Sequence, residues 1–152
     1  MNMDNNASTL PENIPPQEHL ARLRNALLAL HKALVDSERV SYEKTVAPIP
    51  SPNHFLQLLT RDPWFAWLQP FSQLIVALDE TLEAKEPPTR ETAAALRQQA
   101  ARLLVAAENG DGFAGHYDAA LQRDPDVVMA HAAVAQIINP RPTPPASPAA
   151  PQ

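Results

Sequence analysis

The sequence predicts an all-α chain, a four-helix antiparallel bundle with kinked or broken second and fourth helices and disordered termini. Three observations predict it. Apolar residues recur at spacings of three and four through residues 17–139, with no convincing alternating segment. Ala and Leu supply most of a 45% hydrophobic content that is only 5% aromatic, which suits closely packed helices. The 17 prolines fall largely at the ends of periodic segments and in the termini, while glycine numbers only 3. A chain of 152 residues is enough for one domain with a core of its own.

Residues 1–16 are polar, carry Pro11, Pro15 and Pro16, and are expected to be disordered. Residues 17–139 form the helical domain. Residues 140–152 are dominated by Pro, Ala and Ser and cannot build a core. They are expected to form a disordered tail of polyproline II character, a solvated extension rather than a docking peptide, although the Pro-x-x-P spacing leaves docking open.

The first helix is predicted from Gln17 to Thr45, ending before Pro48, Pro50 and Pro52. At about 100° per residue, Leu20, Leu23, Leu27, Leu30, Leu34, Val35 and Tyr42 make one apolar arc. Ser51 and Pro52 supply a cap and a first turn for a short helix to Leu59. Asp62 and Pro63 repeat that signal. The helix they open puts Trp64, Trp67, Leu68, Phe71, Leu74, Ile75, Leu78 and Leu82 on one face, and Pro70 kinks or divides it. Thr89 caps a third helix with a seam of Ala93, Leu96, Ala100, Leu103 and Ala107, predicted to stop at Asn109-Gly110. The fourth begins near Asp111 and is recapped at Asp124-Pro125 to run through Ile138.

Charge and composition narrow the function classes. A net charge of -5 and the absence of a basic face argue against nucleic acid or an anionic membrane as partner. With no cysteine there is no disulfide framework, thiolate site or cysteine nucleophile. The N-terminus lacks the positive start and apolar run of a signal peptide. The longest uncharged run, Pro63 to Leu78, is too short for a bilayer, so a cytoplasmic protein is expected.

Residues 105–132 match several short patterns, none in its required context. Gly110, Gly112 and Gly115 have dinucleotide-fingerprint spacing, but a helix precedes them where the motif needs a strand. Asn109, Asp111, Gly112 and Asp118 follow a calcium loop, yet Ala107 stands at the first ligand position and the last is Asp rather than the bidentate Glu. Ala101, Leu104, Tyr117, Ala120 and Pro125 resemble a single tetratricopeptide repeat, with no second copy to bury its face. A helix cap, a tight turn and a new cap account for all of these.

The candidate site is a polar stripe. Arg24, His31 and Glu38 lie seven residues apart within the apolar arc of the first helix, where buried polar groups need partners. They form an internal paired network, line a pocket together with Tyr42, or set the pairing of the helix with another subunit. Metal ligation, drawing on His31, Glu38, Asp79 and His131 from different helices, lacks the Glu-x-x-His pairs of a di-iron bundle. No His-Glu-x-x-His, Walker loop or serine-nucleophile elbow occurs. Trp64, Phe65 and Trp67 beside Pro70 are candidate contact residues or core. The expected function is therefore a non-enzymatic interaction or regulatory module binding a protein partner or itself, without cofactor. The alternative is a small-molecule or metal-binding bundle built on Arg24, His31, Glu38 and Tyr42.

Overall fold

The computed structural model describes residues 14–105 and 113–140, with side chains described from 115 in the second stretch. All regular structure among the described residues is helical. In order these are α1 (Pro16–Thr45), α2 (Pro52–Arg61), a 3-10 segment (Pro63–Leu68), α3 (Gln69–Glu83), α4 (Arg90–Leu104), α5 (Phe113–Arg123) and α6 (Pro125–Ile138). None of the helices is long and apolar enough to cross a membrane, among the described residues.

The predicted helix starts are made by the predicted side chains. Ser51 accepts from the His54 N–H at 3.1 Å and Asp62 from the Trp64 N–H at 2.9 Å. Thr89 accepts from the Thr92 N–H at 3.0 Å and Asp124 from the Asp126 N–H at 2.9 Å. Each oxygen satisfies an amide that the first turn leaves without an intrahelical acceptor. Proline follows three of these caps directly, where its missing N–H costs nothing.

Pro70 divides the second predicted helix rather than bending it. The chain winds as a 3-10 segment to Leu68, then as α3 from Gln69, with Pro70 in the first turn. The third predicted helix ends early: α4 stops at Leu104, and Val105 turns extended with ψ 118°. Ala107, Asn109, Gly110, Asp111 and Gly112, which carried the end of the predicted seam, the predicted stop, the start of the fourth predicted helix and most of the glycine and calcium patterns, lie outside the described residues, as do 1–13 and the tail from 141.

The core is built around α1. Leu20, Leu23, Leu27, Leu30 and Leu34 are fully buried, together with Phe65, Phe71 and Leu78 from the next segments and Val127 and Val134 from α6. α1 packs against α3, α4 and α6, and α4 also touches α3 and α6. Val35 and Tyr42, predicted inside, are only partly buried at the margin of this cluster. α2 contributes no fully buried residue, and it packs on the 3-10 segment, with the Arg39 guanidinium lying 5.4 Å above the Phe55 ring.

Candidate functional site

Each residue of the α1 stripe is engaged by another helix. Arg24 Nε donates to Asp79 Oδ1 on α3 at 2.6 Å. His31 Nε2 lies 3.1 Å from the Ser72 hydroxyl, also on α3. Glu38 accepts from Arg123 Nη2 at 2.7 Å, and Arg123 Nε donates to Ser37 at 3.0 Å, tying the end of α5 to α1. Tyr42, the last of the set, packs its ring 5.5 Å from both Trp64 and Phe65.

The stripe is not level with the centre of the core along its length, contrary to the sequence expectation. Seven residues of helix fall about 20° short of two full turns, so three groups at that spacing drift across its face. Arg24 stands at the rim, with Asp79 equally exposed (side chains 35% and 36% accessible). His31 is intermediate, and Glu38 is buried. Burial holds the His31 imidazole below its ordinary value, so the neutral ring is favoured.

The four metal candidates are dispersed. Asp79 is taken by Arg24, Glu38 by Arg123 and His31 by Ser72. His131 Nδ1 is 2.6 Å from the Tyr117 hydroxyl. Among the described residues no group of three or more His, Asp or Glu is placed to hold a metal ion.

The aromatic candidates divide too. Phe65 and Trp67 are core residues and not contact residues: Phe65 is fully buried against Phe55 and Tyr42, and Trp67 stacks on His116 at 5.5 Å and 15°. Only Trp64 is part-exposed, and its Nε1 is buried with no hydrogen-bond partner among the described residues.

Several polar residues that organise the interior escaped the sequence reading. Arg97 is buried and donates to the Ile138 carbonyl at 2.6 Å, placing a cation on the carbonyl end of α6. It sits three and four residues from Ala100 and Ala93, within the predicted seam, which was the available signal. His19 is buried beside it. Burial, then Arg97 and Arg22, holds the His19 imidazole below its ordinary value. Tyr117 is fully buried, which pushes its phenol up, while burial pushes His131 down, so this pair is an uncharged hydrogen bond.

The concave space lies beside the stripe rather than on it. A cleft of about 270 Å³ is lined by Ser37, Val40, Ser41, Lys44, Arg123 and Asp124, with Thr45. A second, of about 310 Å³, lies between α3 and α4 at Pro70, Gln73, Leu74, Gln99, Arg102 and Leu103.

The outer side of α6 is chemically unlike that of α1. Val127, Val134 and Ile138 face the core, yet Val128 is 44% and Met129 71% exposed. Ala132, Ala133 and Gln136 are exposed on the same side. α1, by contrast, presents Glu18, Arg22, Lys32, Asp36 and Arg39 to water. Set against known proteins, the chain matches no protein-family model, no curated protein and no solved structure.

Proposed function

We propose that this chain is a non-enzymatic helical interaction module, in which α1, α3, α4 and α6 form an antiparallel four-helix bundle and the outer face of α6 holds a polypeptide. The occupant is another protein or part of a chain like this one. The order of contacts supports the bundle. Contacts advance from Arg24 to His31 on α1 while retreating from Asp79 to Ser72 on α3. Pro70 and Leu74 at the start of α3 meet Arg102 and Leu103 at the end of α4. Arg97 on α4 reaches the end of α6. These alternations are those of neighbouring antiparallel helices joined by short connections.

One observation carries the interaction reading. Val128, Met129, Ala132, Ala133 and Gln136 span an arc of about 140° that contains no charge. A helix that is apolar all round belongs inside a structure, and exposed apolar patches mark contact sites. The stripe, by comparison, is occupied by its own helices, which weakens the pocket reading.

A photoreactive benzoylphenylalanine at position 129 of the purified chain tests the proposal. Irradiation is expected to give peptide adducts of defined sequence, and a charge at Ala133 (A133E) to abolish them. The same label at Lys32, on the charged face of α1, is expected to give none. Absence of adducts at 129 would remove the α6 reading.

A second reading, a small-molecule binder, rests on the cleft where Lys44 and Arg123 stand with Ser37, Ser41 and Thr45. Lys44 and the hydroxyls suit a small anion, although Asp124 is in the same lining and Arg123 is held by Glu38. Calorimetric titration with inorganic phosphate decides it: saturable heat that is lost in Lys44→Ala supports it, and no heat removes it.

A further inference from the structure

Residues 141–152 begin two residues beyond α6, and in them Pro142, Pro145, Pro148 and Pro151 recur at every third position. A polyproline II helix has three residues per turn and rises about 3.1 Å per residue. That period puts all four prolines on one edge, spaced about 9 Å apart. Thr143, Ala146 and Ala149 fall on a second edge, and Pro144, Ser147 and Ala150 on the third. The segment after Arg141 carries no charge.

We propose that the outer face of α6 is a docking surface for residues 142–151 of this same chain, laid back along the helix as an extended proline-edged strand. The proposal rests on the reading of that face as a contact surface and names its occupant. Three features converge on it.

The first is reach. α6 has 14 residues, about 21 Å at 1.5 Å each, and ten residues in polyproline II form span about 31 Å. The segment covers the helix even after a few residues are spent on reversing direction. Asn139 and Pro140 are suited to that reversal: the Asn139 N–H closes the helix on the Ala135 carbonyl, its φ of -130° and ψ of 79° leave the helical region, and proline cannot continue it.

The second is charge. Neither the face between Val128 and Gln136 nor the segment from Pro142 to Pro151 carries an ionised side chain, so bringing them together strips water from no charge. The third is shape and order. Ala132 and Ala133, exposed midway along the face between Val128 and Met129 at one end and Gln136 at the other, bring the backbone close to the surface because their side chains are small. A proline-rich strand is stiff before it binds and loses little conformational freedom on docking.

Met129 is the reporter, because the other two methionines of the chain are Met1 and Met3. The full chain, carrying a carbon-13 methyl label on methionine, is compared with two full-length variants. In P145E/P148E, charges sit on the proline edge; in S147E, one sits on the third edge. The Met129 methyl resonance is expected to move by more than a linewidth in P145E/P148E and to stay in place in S147E, at every protein concentration. An unmoved resonance in both variants overturns the proposal, as does an equal shift in both. A parent resonance that instead moves with protein concentration assigns the face to a second copy, overturning docking of the chain's own segment while leaving the contact surface standing. Failure of the surface itself shows separately, as loss of the position-129 adducts.

Discussion

The Arg123 guanidinium, at the last residue of α5, donates to the buried Glu38 carboxylate of α1 across 85 positions of sequence. A second bond from the same guanidinium reaches the Ser37 hydroxyl. Glu38 thereby has a charged partner at the edge of a leucine core.

Removing the cation leaves that carboxylate buried without its partner. Arg123→Met is expected to destabilise the fold by about 2 to 3 kcal/mol, read from urea unfolding midpoints. Glu38→Gln is expected to cost less, because the amide oxygen still accepts. If the two residues act through each other, the double variant falls short of the sum by about 1 kcal/mol.

Arg97→Met removes the donor at the Ile138 carbonyl. A lost charged hydrogen bond at a buried site is worth about 1.5 to 3 kcal/mol, and the loss is expected to be local first. Hydrogen exchange should accelerate in the last turn of α6 while the centre of α1 stays protected. Uniform acceleration across all helices would show that Arg97 holds the whole core rather than one helix end.

The local grammar of the fold was legible, and its long-range pairing was not. Ser51, Asp62, Thr89 and Asp124 could be identified as caps because a cap acts on an amide two or three residues away, well inside one sequence window. Leu20 through Leu34 declared themselves by period. The partners of the stripe carried no such mark. Ser72, Asp79 and Arg123 stand 41, 55 and 85 positions from His31, Arg24 and Glu38, and each is a polar residue at the border of its own helix. Whether Arg24 was core or rim depended on the drift of a seven-residue spacing around a 3.6-residue turn, which shows only when the arc is followed along the helix. The end of α4 at Leu104 was missed because no glycine or proline marks a stop there before Asn109-Gly110.

Three histidines make stability depend on pH. Burial lowers the pKa of His19, His31 and His131 from an ordinary 6.5, with Arg97 and Arg22 adding to the effect at His19. The unfolded chain therefore binds more protons than the folded one below that value, and stability rises with pH. The histidine contribution is complete above about pH 6.5 and is lost as pH falls through the lowered folded values. Urea midpoints measured from about pH 7.5 down to about pH 5 are expected to fall, and His19→Gln to flatten the decline. A midpoint constant over that range would contradict the burial of all three rings.

Two histidine hydrogen bonds should respond differently to truncation. His131→Ala takes away the 2.6 Å partner of a fully buried tyrosine hydroxyl, and a cost of about 2 kcal/mol is expected. His31→Ala affects the part-exposed Ser72, whose hydroxyl can turn to water, and about 1 kcal/mol is expected. The two variants measured side by side check the order. A larger loss at His31 would place the tighter packing at the stripe.

The two indoles also give the molecule a built-in optical label. Trp67 stacks on His116 of α5, whereas Trp64 meets Tyr42 of α1 edge-on at 5.5 Å. Stacked on a ring of α5, Trp67 reports the seating of that helix through its emission. Emission from Trp64 follows the far end of α1. Replacing one tryptophan at a time with phenylalanine would turn steady-state fluorescence into two separate channels. One would watch α5 come and go, and the other the closure of the aromatic end, in a chain that needs no attached dye.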